Sequence, residues 1–306
     1  MAIAKYRLKN SAGNVVFNII NYTAFALFTI LCIYPFYYLI INTISSNDLS
    51  SNGLINFLPE QLHIRNYIEI IKLKGLGQAA MISTLRTIIG TTTTVMASAF
   101  LGFMFTQKKM WKRKLWYRYL VITMYFNAGL IPVFITMLIL GLTNSFWVYI
   151  IPAIVQPFNI ILVKTYLESV PDSLQQAAEI DGAGIMRIFM QIMLPLSLPI
   201  LATIAIFSAV GQWNSFQDTL IYVTDQKLYS LQFILYQYIN QSNSLAQLIR
   251  TSTTLSSEAM VSLVTKQTPT SVRMTVSVIV VIPIILVYPI FQRYFVKGIM
   301  IGSIKG

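Results

Sequence analysis

Apolar positions in this chain come in long unbroken runs, not in the alternating or three-and-four spacing of a soluble fold. The first run, about Val15 to Ile44, exceeds the roughly 20 residues that a bilayer core demands. It is also longer than a secretory leader and lacks a small-residue cleavage site, so it reads as a retained first span. A polar connector, Ser45 to Gln78, carries Pro59 and the charged pair Arg65 and Glu69, and predicts an outer loop with a short helix. Further runs predict spans over about Ala80–Phe105, Leu120–Leu140, Phe146–Tyr166, Leu196–Tyr222 and Met274–Phe295. Pro283 and Pro289 should kink the last. The expected fold is an all-α membrane protein with six transmembrane helices. Residues 1–14 are expected to form a cytoplasmic N-terminal segment and 15–306 the membrane domain. Within that domain lie an outer loop at 223–272, in which Tyr229–Tyr238 is apolar, and a cytoplasmic tail at 296–306.

Two patterns inside the second span bear on packing. Gly90, Thr94, Ser98 and Gly102 recur every fourth residue, a small-residue ridge that lets a neighbouring helix approach closely in lipid. Thr91 to Thr94 resembles a polar channel lining, but hydroxyls bonding back to the preceding turn explain it at lower cost.

Composition narrows the class. Hydrophobic residues make up 56% and charged residues 10%, with a mean hydropathy of +0.66, which excludes an ordinary soluble domain. The net charge of +12 would suit a nucleic-acid partner, yet the basic residues sit mainly between apolar runs. Lys108, Lys109, Lys112, Arg113, Lys114 and Arg118, with Trp111 and Trp116, read instead as a cytoplasmic anchor. That anchor puts both termini in the cytoplasm, with Ser45–Gln78 and Val223–Val272 outside. Cys32 is the sole cysteine and His63 the sole histidine, so neither an internal disulfide nor a zinc-type site is expected.

The stretch from Pro171 to Pro199 differs from everything around it. Pro171 and Asp172 suit a helix start, and Leu174, Ala177 and Ala178 give the helix a small apolar face. Asp181-Gly182-Ala183-Gly184 should break it. A second helix carries Ile185, Ile188, Phe189 and Ile192 on one stripe and should close at Pro195. The prediction is a rigid helix–bend–helix knuckle in a cytoplasmic loop at 168–197.

Gln176-Ala177-Ala178, Glu179, Asp181-Gly182-Ala183 and Ile192-Met193-Leu194-Pro195 resemble the EAA loop of permease subunits of ATP-binding-cassette (ABC) importers. Gln176 stands where that motif has Glu, keeping the length and hydrogen-bonding capacity and losing the charge. Asn127-Ala128-Gly129-Leu130-Ile131-Pro132, Trp213-Asn214 and the tail Gly302 to Gly306 are similar to the carbohydrate-uptake branch of these permeases. Within it they resemble the maltose-type and oligosaccharide or polysaccharide-fragment members.

The resemblance implies a type I ABC importer permease fold in the cell membrane. It further implies that Leu174, Gln176, Ala177, Ala178, Glu179, Asp181, Gly182 and Ala183 form the loop that docks in a cytoplasmic ATPase. The implied partners are two such ATPases, which bind ATP and Mg, a second homologous permease in a heterodimer, and an extracytoplasmic solute-binding protein or lipoprotein. No cofactor belongs to this chain. ATPase closure would pull the knuckle, and the Gly182–Gly184 bend would transmit the movement to spans four and five.

An oligosaccharide needs amides and hydroxyls for its hydroxyl groups and aromatic faces for its C–H faces. Asn127, Gln156, Asn159, Gln212, Trp213 and Asn214 lie in or near the spans and meet that chemistry, although each is equally suited to hydrogen bonding between helices. Two other classes fit less well. A secondary transporter would carry charged groups within its spans, whereas Arg86 and Asp218 are expected near the outer ends. An importer permease for a non-sugar solute stays open. An enzyme would need a nucleophile, base or metal constellation, and the sequence holds neither an HExxH motif nor a Walker A loop.

Overall fold

The structure is a computed structural model that describes residues 12–72, 75–240 and 268–298. The basic residues Lys5, Arg7 and Lys9, most of the 223–272 loop and the Gly302–Gly306 tail therefore lie outside the described residues. The chain divides into two compact units, one from 1–69 with 245–278 and one from 70–244 with 279–306.

The first unit is built on helix α1, Ala12–Ile44, whose apolar side chains are largely exposed from Val15 to Ile40 and suit lipid or a neighbouring chain. Two short helices follow where one was expected: α2, Asn47–Ser51, and α3, Arg65–Ile71. Polar side chains fold this connector onto the end of α1. Buried Asn42 donates to the Ile55 carbonyl and accepts from Ser50 Oγ at 2.8 Å, and buried Asn66 donates to the Thr43 carbonyl at 3.0 Å. Satisfying amides this way is what permits their burial. Arg65 and Glu69 pair one turn apart on α3.

The second unit is organised around α4, Leu76–Thr106. All four ridge residues, Gly90, Thr94, Ser98 and Gly102, are buried. The threonine run departs in part from expectation. Thr93 Oγ1 bonds back to the Ile89 carbonyl at 2.8 Å, but Thr94 Oγ1 reaches across to the Ala153 carbonyl at 2.9 Å. A Cβ at Gly102 would lie 2.7 Å from Val163 Cβ, so only glycine allows this approach.

The third expected span is not one straight helix. α5, Arg113–Tyr125, and α6, Leu130–Ile139, meet at 117°. Gly129 holds φ +86° at the break, and Asn127 Oδ1 accepts from its N–H at 2.9 Å. The fourth expected span begins as 3-10 turns, Phe146–Tyr149 and Ile151–Ala153, and becomes helix α7, Pro157–Leu167, after a 43° bend. Pro152 and Pro157 remove backbone donors there.

The knuckle helix is α8, Asp172–Ile180. After it the chain runs helically through α9, Ile185–Ile188, a π turn at Phe189–Met193, and α10, Leu194–Leu196. Pro195 therefore does not close the second helix. It is absorbed by the wide turn before it, which relieves the clash of its ring with the preceding carbonyls. The direction changes at Ser197 by 76°, into α11, Leu198–Asn214. The fifth run is broken again at Ser215–Phe216 before α12, Gln217–Tyr222. A helix at 231–240 and α14, Pro269–Gly298, complete the described elements, with α13 denoting 231–240. Two described helices, Gly13–Ile44 and Leu76–Thr106, are apolar and long enough to cross a membrane unbroken, and three bent pairs are so when each is taken together.

Candidate docking surface and intramembrane cavity

The knuckle is fixed to the body of the second unit by apolar packing. Ala178, Ile188, Phe189 and Met193 are buried with Ala99 and Phe103 of α4, Val163 and Leu167 of α7, and Leu201 and Ile204 of α11. The Phe189 ring lies 5.3 Å from Phe103 and 5.6 Å from Phe100, contacts worth about 0.5–1.5 kcal/mol each beyond area burial.

Polar groups clamp the base. Gln107 and Gln175 exchange amide hydrogen bonds, at 2.9 Å and 3.3 Å, with Gln107 buried. Lys108 pairs with Asp172 at 2.9 Å and Lys109 with Glu179 at 3.2 Å. Hydrogen bonds from Gln175 and Lys109 hold the Glu179 carboxyl below its usual range. These ion pairs are exposed and solvent-screened, so the core and the amide pair carry the attachment. They also place the basic cluster and the knuckle at the same end of the unit.

The bend has the expected chemistry. Gly182 sits at φ +76°, with its N–H donating to the Glu179 carbonyl, and the Ala183 N–H donates to Ala178 at 2.9 Å. This is a Schellman-type stop, and Asp181 is its cap.

The helix face differs from the sequence expectation in one respect. Ala178 turns inward, at 9% exposure, into the chain's own core. The outward face is Ser173, Gln176, Ala177 and Ile180, which fall within about 100° of arc at 100° per residue. Ile180 is 85% exposed and Leu174, on the shoulder, 44%. Ile185 and Met186 extend the exposed apolar surface beyond the bend.

Beside the middle of α4, between Arg86 and Thr94, is a cavity of ≈ 380 Å³, lined among others by Gln156, Asn159, Phe207, Gln212 and Tyr222. Its wall carries a feature that reasoning from the sequence missed. Arg86, 1% exposed, donates to Gln212 Oε1 at 3.1 Å, the Ser215 carbonyl at 3.2 Å and Asp218 Oδ2 at 2.6 Å. Its guanidinium also lies over the Tyr149 ring at 4.3 Å. These charges, expected near the outer ends, are hydrogen-bonded to one another in the cavity wall. Two opposite charges in otherwise apolar runs were the available signal.

The six amide and indole candidates separate. Gln156, Asn159 and Gln212 line the cavity together, although Gln212 is committed, donating to the Tyr149 carbonyl at 3.1 Å and accepting from Arg86. Trp213 donates through Nε1 to the Val280 carbonyl at 3.0 Å, tying α11 to α14. Asn214 accepts from Gln232 at 3.1 Å, and Asn127 caps the α5–α6 break.

A bundle of broken, apolar helices with a buried polar wall partway along it and a packed helix–bend–helix knuckle at one end is the architecture of a membrane-embedded transport subunit. The chain belongs to the family described as binding-protein-dependent transport system inner membrane component, which matches residues 95–301. It is 30% identical over 96% of its length, and 99% of the relative's, to the polygalacturonan/rhamnogalacturonan transport system permease protein YtcP of Bacillus subtilis (strain 168). It is 27% identical to the arabinooligosaccharides transport system permease protein AraQ of Halalkalibacterium halodurans, covering 92% of this chain and 94% of the relative. Among solved structures it matches a chain of a bacterial ABC transporter involved in the import of the acidic polysaccharide alginate. That match has a TM-score of 0.81 and 27% identity, and covers 94% of this chain and 99% of the other. The type I ABC importer permease fold and the role of permease subunit, expected from the EAA-like loop, are therefore those of this chain.

Proposed function

We propose that this chain is one permease half of an ATP-driven importer that carries an oligosaccharide across the cell membrane. Two cytoplasmic ATPases drive it, a second, homologous permease completes the path, and an extracytoplasmic binding protein delivers the sugar. Both termini face the cytoplasm, on the same side as the Lys108–Arg118 cluster and the knuckle. The carbohydrate reading draws on relatives named for polygalacturonan/rhamnogalacturonan and arabinooligosaccharides and on a solved transporter involved in the import of alginate. The observation that carries the mechanism is the knuckle. A helix rooted by Ala178 in the core while presenting Ile180 and Leu174 outward is built to take a load from a partner. An apolar face left to water would be a liability without one.

Ala178 is the wrong place to test this, because a large side chain there would break the core. Ala177→Arg and Ile180→Asp alter only the outward face. Each should abolish sugar uptake and detach the ATPase during copurification, while the detergent-solubilised permease keeps its thermal midpoint. Retained ATPase binding and uptake in both variants would refute the docking role. An assembled importer that takes up no oligosaccharide would refute the carbohydrate assignment.

A further inference from the structure

We propose that Asp218, positioned by Arg86, is the hydroxyl-gripping carboxylate of a sugar subsite in the ≈ 380 Å³ cavity, and that this subsite favours uncharged sugar units over uronates. The proposal rests on the oligosaccharide reading above and adds the ligand's charge and a contact to it.

Arg86 and Asp218 are the charged residues of the cavity wall, and they differ in what they have left to offer. Arg86 is spent. All three guanidinium nitrogens have acceptors, its face rests on Tyr149, and its side chain is 1% exposed. Two of its five N–H groups have no acceptor among the described residues, but at 1% exposure the guanidinium offers a sugar carboxylate almost no surface to reach.

Asp218 is the reverse. Its Oδ2 accepts from Arg86 at 2.6 Å and from Ser215 Oγ at 2.7 Å. Its Oδ1 has no hydrogen-bond partner among the described residues, and the side chain is 37% exposed. A carboxylate oxygen is an acceptor only, and its ionic hydrogen bonds are about twice as strong as neutral ones. The groups that such an oxygen seeks are hydroxyls, which an oligosaccharide supplies in abundance.

The rest of the wall fits the same ligand. Asn159 is 8% exposed, lines the cavity and makes no side-chain hydrogen bond among the described residues. A buried amide costs free energy unless something meets it, and a sugar hydroxyl does so as donor or acceptor. Phe207, 54% exposed, offers an apolar face for pyranose C–H groups, whereas the Tyr149 face is taken by Arg86. Arg86 balances the Asp218 charge but is too enclosed to reach a second carboxylate, so a uronate set against the open Asp218 oxygen should be disfavoured by at least about tenfold.

Gly211 provides the probe. It lines the cavity, and a Cβ there meets nothing within 4 Å, so a cysteine fits without disturbing the wall. The importer would be copurified from its own membranes with Gly211→Cys in a Cys32→Ser background. Alkylation of this chain is then read by mass spectrometry, with neutral gluco-, galacto- and arabino-trisaccharides or trigalacturonate present. At least one neutral trisaccharide should slow alkylation several-fold, and trigalacturonate at the same concentration should not. A second variant, Arg86→Gln/Asp218→Asn, keeps a neutral hydrogen-bonded brace. It should retain the thermal midpoint, raise the KM for neutral sugar about tenfold and erase the discrimination against trigalacturonate.

Equal protection by trigalacturonate overturns the proposal. So does a neutral sugar that is transported yet gives no protection, or a double variant whose KM and selectivity are unchanged. If the importer transports no member of the panel, the oligosaccharide reading falls and takes the subsite with it.

Discussion

An alanine at Gly102 would place a methyl carbon 2.7 Å from both Val163 Cβ and Cγ1, and 3.2 Å from the Lys164 nitrogen. Carbon atoms prefer about 3.5–4.0 Å, so the shortfall is roughly 1 Å. Val163 cannot yield by a rotamer change, because its Cβ is fixed to the α7 backbone. Its own exposure is 0%. The two helices must therefore part. Overpacking of this kind costs about 1–3 kcal/mol. The better helix propensity of alanine returns up to about 1 kcal/mol, so the net expectation is a loss of about 1–2 kcal/mol. Gly211→Ala on α11 is the matched control. Its new methyl meets nothing within 4 Å, so only the propensity gain remains and the sign reverses.

Thermal midpoints of the purified permease, followed by fluorescence-detected size exclusion, measure both. A loss of 1–2 kcal/mol corresponds to a drop of several degrees, at ~2–4 °C per kcal/mol. The knuckle should feel the same substitution, since Val163 and Leu167 pack in one cluster with Ala178. ATP hydrolysis by the assembled importer should then rise relative to sugar uptake. If Gly102→Ala and Gly211→Ala shift the midpoint in the same direction, the close approach of α4 to α7 is not what the glycine serves.

Two other outcomes follow from the polar sites. Asp218→Ala strands the Arg86 charge in a buried position and should cost about 3 kcal/mol, the lower end for a broken buried pair because Asp218 itself reaches cavity water. Arg86→Met/Asp218→Ala should recover most of that loss in the same melting assay, and failure to recover would mean that the pair is not the source. At the knuckle, Glu179 has a folded pKa below its ordinary value of 4.5, so its contribution is complete above that pH and fades as pH falls through the lower, folded value. The stability gap between wild type and Glu179→Gln should therefore hold from pH 7 down to about 4.5 and close as acidification goes further, and a pH-independent gap would show that the carboxylate is not the group responsible.

Local chemistry was legible in the sequence where it depends on near neighbours. Gly182 after Asp181 predicted the bend, because only glycine enters φ +76° without cost, and the bend is there. The four-residue spacing of Gly90, Thr94, Ser98 and Gly102 predicted one buried ridge for the same reason. The break between α5 and α6 was not legible, since the run from Leu120 to Leu140 is apolar on both sides of Asn127. Only the capping of the Gly129 N–H by that side chain reveals it. The link from Arg86 to Asp218 spans 132 residues and leaves no periodicity to read. Trp213 shows the limit from the other side. An indole beside two amides suits a sugar or a helix contact equally, and its hydrogen bond to the Val280 carbonyl is the feature that separates them.

The core under the knuckle alters how a pull on it would travel. Were the Gly182–Gly184 bend the transmitter, force would have to pass through a segment whose first residue, Gly182, holds a positive φ and would have nothing within 4 Å of a Cβ. Ala178 offers a stiffer route, from α8 directly into Phe103, Leu167 and Leu201. Close-packed interiors transmit strain because side chains have little free volume to absorb it. α11 then runs from Leu201 in that cluster to Gln212 at the cavity, roughly 16 Å at 1.5 Å per residue. α4 spans the same two places, from Phe103 to Arg86. Both rods meet at the one hydrogen-bonded set of Arg86, Gln212, Ser215 and Asp218. A tilt of the knuckle that moved α4 against α11 would therefore strain or reseat that set, and in such a movement the bend would serve as a corner and the two helices as levers.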